Sequence, residues 1–218
     1  MSQIEIIGFD ASTYVRTTRL FCEEKGIAYT LNPAHLTGPQ DLSSAIHLAF
    51  HPYGRIPVMR HGDVVIFETS AICRYLEATF GGPRLFPESA VDAARAEQWA
   101  SALHCYFNPV VVRRYILEYA FPKGEDGQPR RDAIDAALPD VRDQLQIVNE
   151  ALTDGPYFLG ETIMLADLVL LPMVDYVAVM PEGDALLAAA SNVRRFRDTF
   201  SKRASYSATL PERLKNAA

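Results

Sequence analysis

Hydrophobic and polar residues alternate in short blocks over the first 80 positions of the chain. The apolar run Ile4–Phe9, bounded by Gly8 and Asp10, predicts a first strand. Thr13–Lys25 carries apolar residues at helical spacing and stops before Gly26, which is typical of the residue after a helix. Further strands are predicted at Ile27–Leu31, Ile56–Arg60 and Val64–Phe67, and further helices at Asp41–Phe50 and Thr69–Thr79. This order predicts a small α+β unit whose first two strands are parallel, because a helix crosses between them.

The pattern changes after Gly81-Gly82-Pro83, where strand signals no longer recur. Ala90–Ala120 is predicted to be a long amphipathic helix that Pro109 kinks. Shorter helices are predicted at about 133–152, 165–180 and 193–203, the second of them too short and too interrupted by acids to cross a bilayer. The fold class is therefore α+β followed by all-α. The expected domains are residues 1–80 and 89–218, joined by a linker at 81–88.

Composition narrows the classes of protein that this pattern fits. The chain has 218 residues, of which 49% are hydrophobic and 22% charged, and this argues against disorder and against a disulfide-stapled mini-protein. A formal net charge of −6 argues against a nucleic-acid partner. The odd set Cys22, Cys73 and Cys105 fits a reducing compartment. Together with the lack of a signal-peptide pattern, this predicts a cytoplasmic protein without membrane association.

Three segments of the first 80 residues carry candidate chemistry, and the first is Ile56-Pro57 at the start of a predicted strand. A cis bond there would turn the backbone N–H and C=O of Ile56 outward, toward an extended peptide ligand. A trans proline would simply begin an edge strand. The residues alone leave both possibilities open.

The second segment, Phe67-Glu68-Thr69, runs from a predicted strand into a predicted helix. Thr69 is placed to be the N-cap, and the unpaired N–H groups of the first turn attract carboxylates. Glu68 could meet an ammonium group. Together these features describe a pocket for an α-amino-acid end, and an ordinary helix cap is the alternative.

The third segment, Asp10-Ala11-Ser12-Thr13-Tyr14, joins the first strand to the first helix. Its hydroxyl groups and the helix N-terminus can stabilise an anion together. No histidine or acid stands at a spacing that would make Ser12 an acyl-transfer nucleophile, and the G-x-S-x-G elbow is missing from the sequence. A hydroxyl that donates a hydrogen bond to an anion is the better interpretation.

In combination, Gly54-Arg55-Ile56-Pro57, Glu68-Thr69-Ser70-Ala71-Ile72 and the segment from Gly160 to Asp167 resemble the cytosolic glutathione transferase family. The resemblance covers essentially the whole chain. It implies a thioredoxin-like N-terminal domain that binds glutathione, an all-helical C-terminal domain that carries the electrophile site, and a homodimer. The implied activity is attack of the glutathione thiolate on a small hydrophobic electrophile, with glutathione as co-substrate and no metal. A non-catalytic binding or scaffold protein on the same fold is the alternative.

The resemblance also implies roles for single residues. Ile56, beside a cis Pro57, would pair with the cysteinyl part of glutathione, and Glu68 and Thr69 would hold its γ-glutamyl end. Ser12 falls on the catalytic position of serine-type classes, which suggests a bacterial or phi/theta-like member. The rivals of Ser12 are Thr13 and Tyr14.

Other predicted positions are less defined. Gln40 is a candidate ligand of the glycyl carboxylate, with His51 and Arg55 as further possible donors. His47 and His51 have the i, i+4 spacing of a metal pair, but no third ligand follows in pattern. Candidates for the electrophile site lie on the long predicted helix and are Tyr106, Phe107, Arg113, Arg114 and Tyr115. For at least half of the aromatic residues among them, packing in the helical core is the alternative.

Overall fold

The structure, a computed structural model, describes residues 3–152 and 155–215 and divides into two compact units. The first unit holds the chain up to Phe86 together with the segment that begins at Arg203, and the second holds Pro87–Lys202. The change of unit at Phe86 lies inside the predicted linker. The C-terminal segment differs from the prediction, because it packs with the first unit and not with the helical domain to which its sequence position assigned it.

A four-stranded mixed sheet forms the centre of the first unit, in the order β2-β1-β3-β4. Strands β1 and β2 are parallel, whereas β3 is antiparallel to both β1 and β4. The strands are β1 (Ile4–Ile7), β2 (Tyr29–Asn32), β3 (Val58–His61) and β4 (Val64–Phe67), and the helices are α1 (Thr13–Lys25), α2 (Ala45–Leu48) and α3 (Thr69–Thr79). This arrangement confirms the predicted thioredoxin-like domain.

The predicted helix at Asp41–Phe50 is wrong in detail. A 3₁₀ helix at Pro39–Ser43 and the short α2 replace it. The break falls at Ser44, whose backbone is extended (φ −68°, ψ 149°) and whose hydroxyl accepts a hydrogen bond from the N–H of His47. A serine N-cap therefore starts a new helix where periodicity alone predicted a continuous one.

In the part of the second unit that the structure describes, the regular elements are helices, and isolated β-bridges join Tyr157 to Gly160 and Leu159 to Thr162. Residues 90–120 form one continuous helical stretch: α4 (Ala90–Ala102), a π-helical segment (Leu103–Ile116) and α5 (Leu117–Ala120). Pro109 lies inside the wider π-helical turns, which accommodate its missing N–H. The remaining helices are α6 (Arg131–Ala151), α7 (Leu165–Ala178), α8 (Gly183–Ala189) and α9 (Ser191–Phe200), and a 3₁₀ turn spans Glu125–Gly127.

Helix α7 is the centre of the helical unit. Every residue from Leu165 to Val177 is buried, and α7 contacts α4, the π-helical segment, α8 and α9. Its sequence is apolar on all sides, as expected for a helix that neighbours surround. None of the helices in the described residues is long and apolar enough to span a membrane.

The C-terminal segment folds as α10 (Ala204–Thr209) and α11 (Glu212–Lys215), and α10 packs against α1. Arg203 forms an ion pair with Glu24 of α1, with 2.6 Å between Nη2 and Oε2. The N–H of Glu212 donates to a carboxylate oxygen of Asp10, 3.2 Å away, in the loop before α1. Both ends of α1 are therefore held by the last residues that the structure describes.

Candidate active site

The pairing register of the sheet brings the three candidate segments to one end of it. Ile7 of β1 pairs with Val58 of β3, and Val58 pairs in turn with Phe67 of β4. The chain leaves β1 toward Ser12, enters β3 from Pro57 and leaves β4 toward Glu68. Segments that lie far apart along the chain, from Ser12 to Glu68, thus meet at one end of the sheet.

Gly8 allows the close approach of two of these segments. It has a positive φ of 156°, and a Cβ at this position would lie 2.5 Å from Cγ2 of Val15 and 3.3 Å from Cβ of Ile56. Any side chain here would collide with the first turn of α1. A glycine is therefore needed for β1, α1 and the Ile56 segment to pack together.

Ser12 is the N-cap of α1. Its backbone is extended (φ −74°, ψ 128°), and its Oγ accepts a hydrogen bond from the N–H of Val15, with 3.4 Å between the two atoms. A hydroxyl that accepts in this way keeps its own proton available for donation. Thr13 and Tyr14 lie inside the first turn, where their carbonyl oxygens accept from the hydroxyls of Thr17 and Thr18. Of the three predicted hydroxyl residues, Ser12 is the one whose side chain caps the helix.

The peptide bond between Ile56 and Pro57 is cis. Gly54, two residues earlier, has a positive φ of 59°, and a Cβ there would lie 2.6 Å from the carbonyl oxygen of Leu42. Among the described residues, no hydrogen bond occupies the backbone N–H or C=O of Ile56. Both groups are therefore available to an extended ligand.

Glu68, not Thr69, is the N-cap of α3, which corrects the sequence prediction. The carbonyl of Glu68 already accepts from the N–H of Ile72 at 2.9 Å. The helix therefore begins one residue earlier than it would with Thr69 as its N-cap. Thr69 is buried as the first helical residue. Glu68 has a positive φ of 70° and a side chain that is 66% exposed. Such backbone strain at a residue other than glycine is often found at ligand sites.

His51 lies beside this strained residue. Its ring is buried against Phe67, with 4.7 Å between ring centroids, and its Nε2 is 4.0 Å from Oε1 of Glu68. Burial lowers the pKa of His51, although the charge of Glu68 opposes this shift. The Nδ1 atom accepts from the N–H of Tyr53 at 3.3 Å, which leaves Nε2 to carry the ring hydrogen.

The other residues predicted to donate a hydrogen bond to the glycyl carboxylate, Gln40 and Arg55, are placed differently from His51. Gln40 is exposed, and its amide donates to the hydroxyl of Thr37 at 3.4 Å. Asp41 accepts from Thr37 as well, and this hydrogen bond is the main reason that the pKa of Asp41 is lowered. Arg55 is exposed and directly precedes Ile56.

The predicted electrophile-site residues fall into two groups. Phe107 and Tyr115 are buried, and the hydroxyl of Tyr115 donates to the carboxylate of Glu182 at 2.8 Å. Burial, followed by this hydrogen bond, raises the pKa of Tyr115 strongly. These two aromatic residues are core residues. The exposed group comprises Tyr106, Arg113 and Arg114, of which Arg114 pairs with Asp140 at 2.6 Å.

Sequence reasoning missed one buried basic residue near these segments, Arg16, and considered another, His47, only for its metal-pair spacing. Arg16 is wholly buried on α1, its Nε lies 3.4 Å from the hydroxyl of Thr209, and its guanidinium lies 5.0 Å from the ring centre of Tyr206. His47 is wholly buried on α2, and within residues 3–152 and 155–215 no group of three or more His, Cys, Asp or Glu side chains is placed to hold a metal ion. The signal that the sequence offered for these residues was a basic side chain at a position within a predicted helix.

These features define a thioredoxin-like domain with an exposed acid, a free backbone segment and a capping hydroxyl at one end of its sheet, followed by a helical domain. Residues 6–84 match the family described as "Glutathione S-transferase, N-terminal domain", and residues 102–204 match "Glutathione S-transferase, C-terminal domain". Glutathione S-transferase F10 of Arabidopsis thaliana is 30% identical over 192 residues, which cover 84% of this chain and 85% of that protein. The chain therefore belongs to the glutathione S-transferase family.

A wheat relative agrees with this assignment, and two solved structures share the fold. Glutathione S-transferase 1 of Triticum aestivum is 28% identical over 190 residues, which cover 83% of this chain and 82% of the wheat protein. The solved structure of poplar glutathione transferase F1 shares the fold with a TM-score of 0.85, at 24% identity over 99% of this chain and 100% of the poplar chain. Glutathione S-transferase I from maize in complex with an atrazine glutathione conjugate has a TM-score of 0.82, at 22% identity over 95% of this chain and 96% of that chain.

Proposed function

We propose that this protein is a serine-type, phi/theta-like glutathione transferase that activates the thiol of glutathione for attack on a small hydrophobic electrophile. The observation that carries the proposal is the register Ile7–Val58–Phe67, because it gathers Ser12, Ile56 and Glu68 at one end of the sheet. The family relatives act on or bind glutathione by name, and this makes a non-catalytic scaffold the less favoured reading.

Each part of glutathione has a proposed partner in this arrangement. The ammonium group of the γ-glutamyl end meets the exposed carboxylate of Glu68, and its carboxylate meets the N-terminus of α3 at Thr69. The cysteinyl backbone pairs with the unoccupied N–H and C=O of Ile56. For the glycyl carboxylate, Arg55 is better placed than Gln40, because Arg55 is exposed beside Ile56 and the Gln40 amide already binds Thr37.

Ser12 is proposed to stabilise the thiolate. A free thiol has a pKa of about 8.5 and is mostly protonated at neutral pH. The Ser12 hydroxyl, which accepts from Val15, donates a hydrogen bond to the sulfur as the thiol proton leaves to solvent, and the positive end of the α1 dipole adds to this stabilisation. Each unit by which the thiol pKa falls requires about 1.4 kcal/mol of preference for the thiolate. The thiolate then forms a C–S bond with the electrophilic carbon as the leaving group departs with its electron pair.

The helical domain is proposed to carry the electrophile site. Within it, Tyr106 is 67% exposed and Arg113 is exposed, so both side chains are available to a ligand. The structure of the maize relative with an atrazine glutathione conjugate supports an aryl halide as a test electrophile. The related thiolate reactions, isomerisation and dehalogenation, use the same activated sulfur.

We further propose a cytoplasmic homodimer. The segment before the cis bond exposes three large apolar side chains, namely Ile46 at 61%, Leu48 at 40% and Tyr53 at 75%. Exposed apolar groups of this size favour a protein partner, and a second copy of the chain is the partner that the family suggests. Cys22, Cys73 and Cys105 are free, as expected in a reducing compartment.

Calorimetric titration with glutathione, followed by a conjugation assay with an activated aryl chloride, tests the proposed activity. We expect saturable binding and conjugation that depends on enzyme concentration. S-Methylglutathione keeps the peptide but lacks the free thiol, so it should bind and inhibit without reacting. Absence of a binding signal with both peptides would overturn the proposal. Binding of glutathione without conjugation of any of a panel of electrophiles would support the scaffold alternative.

A further inference from the structure

A buried imidazole contacts the segment on which the cysteinyl backbone of glutathione is proposed to bind. His47 is wholly buried, and its Nε2 lies 2.8 Å from the carbonyl oxygen of Arg55. A carbonyl oxygen can only accept a hydrogen bond, so Nε2 carries the hydrogen and donates it. The carbonyl of Arg55 is thereby held on the side of α2.

The second ring nitrogen of His47 is also engaged. Its Nδ1 lies 3.2 Å from Nε2 of His35. One of the two imidazoles donates in this contact and the other accepts, so the contact ties the two rings together. His35 in turn stacks on Phe50, with 5.7 Å between ring centroids and 15° between ring planes. The His47 ring is therefore fixed at both nitrogens before any ligand binds.

The hydrogen bond from His47 also sets the direction of the next N–H group. The C=O of Arg55 and the N–H of Ile56 belong to one peptide unit, which is planar and trans. In such a unit the two groups point in opposite directions. Because His47 holds the carbonyl toward α2, the Ile56 N–H is directed away from α2, and no partner within the described residues occupies it.

We infer that His47 is a positioning residue for glutathione: by holding the Arg55 carbonyl, it presents the Ile56 N–H to the cysteinyl carbonyl of the ligand. His35 supports it by fixing the ring. This inference rests on the proposed function, and in particular on the pairing of Ile56 with the peptide backbone of glutathione. It also gives His47 and His51 separate tasks, since His47 contacts Arg55 whereas His51 faces Glu68.

A pair of substitutions at His47 tests this inference. His47→Phe keeps a planar ring but removes the donor, and we expect the Kd for glutathione to rise about tenfold, the effect of losing one directing hydrogen bond. The KM for glutathione should rise by the same factor. Turnover at saturating glutathione and the KM for the electrophile should stay within about twofold, because the thiolate and its donor are untouched. His47→Gln can place an amide N–H at a similar reach, and it should restore the Kd to within about threefold of the wild-type value.

His61 offers a matched control in the same domain. Its Nδ1 lies 2.8 Å from the hydroxyl of Tyr75, at the other end of strand β3 from Pro57. His61→Phe removes one imidazole hydrogen bond as well, and we expect it to lower the thermal midpoint comparably while leaving the Kd for glutathione unchanged. If His47→Phe does not fold, His35→Phe replaces it, with an expected rise in Kd of about threefold.

Several outcomes would overturn the inference. A wild-type Kd in His47→Phe would do so, as would an equal loss of affinity in His61→Phe or a failure of His47→Gln to improve on the phenylalanine variant. These outcomes are distinct from failure of the proposed function. A wild-type protein that does not bind glutathione contradicts the function itself, whereas binding that is weakened by Glu68→Gln but not by His47→Phe contradicts only the role of His47.

Discussion

An acidic side chain lies at the N-terminal end of α3 and another at the N-terminal end of α7, and the surroundings of the two acids are opposite. Glu68, at the start of α3 in the first unit, has a left-handed backbone and a mostly exposed carboxylate that caps no N–H group among the described residues. Asp167, in the first turn of α7 in the second unit, is 0% exposed. Its carboxylate accepts from the N–H of Phe158 at 3.0 Å and from the N–H of Met164 at 2.8 Å.

The difference teaches how the same chemical group can serve folding in one place and, in the proposed function, ligand binding in another. The oxygens of Asp167 are occupied by its own chain, so the acid stabilises the turn before α7 even though Met164 supplies no capping hydroxyl. Glu68 contributes little to its own helix and adopts a strained backbone, so its carboxylate stays available to a ligand. In the proposed function Ser12 combines both uses, because its oxygen caps α1 while its hydroxyl hydrogen is available for donation.

The largest effect that we expect from this comparison is a pH dependence of stability at Asp167. Burial raises the pKa of Asp167 to about 7, against the opposing hydrogen bonds from Phe158 and Met164. The unfolded chain has an ordinary aspartate pKa of about 3.9. Between these two values the folded state binds the proton more tightly, so the contribution of this group to stability is full below the unfolded value and is lost as the pH rises through about 7.

Asp167→Asn removes the titration and keeps one acceptor oxygen. The unfolding free energy of the variant, relative to wild type, should therefore increase between pH 4 and pH 8, by on the order of 3 kcal/mol. Denaturant unfolding at a series of pH values measures this difference. Glu68→Gln is the comparison variant, and its stability relative to wild type should change far less over the same range because its side chain is exposed. A flat difference for Asp167→Asn would show that the buried carboxylate titrates normally.

Ser12→Ala is expected to have the next largest effect, and the effect is on catalysis. Loss of the hydroxyl that stabilises the thiolate should lower kcat/KM about 100-fold, as for other removed anion donors. The Kd for glutathione should change by less than about threefold, because the peptide contacts remain. Steady-state conjugation rates and calorimetry measure the two quantities separately. Ser12→Thr keeps the hydroxyl and should retain most of the turnover.

Ser89 provides the control for the helix cap that Ser12→Ala also removes. Its Oγ accepts from the N–H of Asp92 at the start of α4, with the same distance of 3.4 Å that joins Ser12 to Val15. Both serine-to-alanine variants should lose about 1 kcal/mol of stability through the cap. Only Ser12→Ala should lose turnover. If Ser12→Ala were as active as Ser89→Ala, the role would pass to Thr13, to Tyr14 or to the helix terminus alone.

Local signals in the sequence were sufficient to predict most of the helices and strands of the first unit. The predicted bounds Thr13–Lys25 and Thr69–Thr79 agree with the helices of the structure, because each has a clear apolar stripe and a clear end. The second strand begins at Tyr29, later than the predicted Ile27, since the N–H of Ile27 still donates to Cys22 at the end of α1. Hydrophobic periodicity does not register such a helix-end hydrogen bond.

Features that depend on distant residues could not be predicted in this way. The cap at Glu68 requires a positive φ that no rule based on the preference of serine and threonine for caps would assign to glutamate. The packing of α10 on α1 requires the buried Arg16 to meet Thr209, nearly two hundred residues later. The role inferred for His47 likewise depends on its contact with Arg55, whereas the sequence showed only a spacing that is shared with metal pairs.

The smallest effect that we expect separates the charge of Glu68 from its backbone strain. Glu68→Gln keeps the side chain and the positive φ but removes the charge, so the Kd for glutathione should rise about tenfold while stability changes little. Glu68→Gly removes both the side chain and the strain, and it should be more stable than Glu68→Ala by about 1 kcal/mol, since glycine adopts this conformation freely. Calorimetry with glutathione and denaturant unfolding of the three variants measure the two effects. Equal stability of the glycine and alanine variants would mean that φ at this position relaxes once the carboxylate is removed. The strained backbone would then serve only to orient the Glu68 carboxylate.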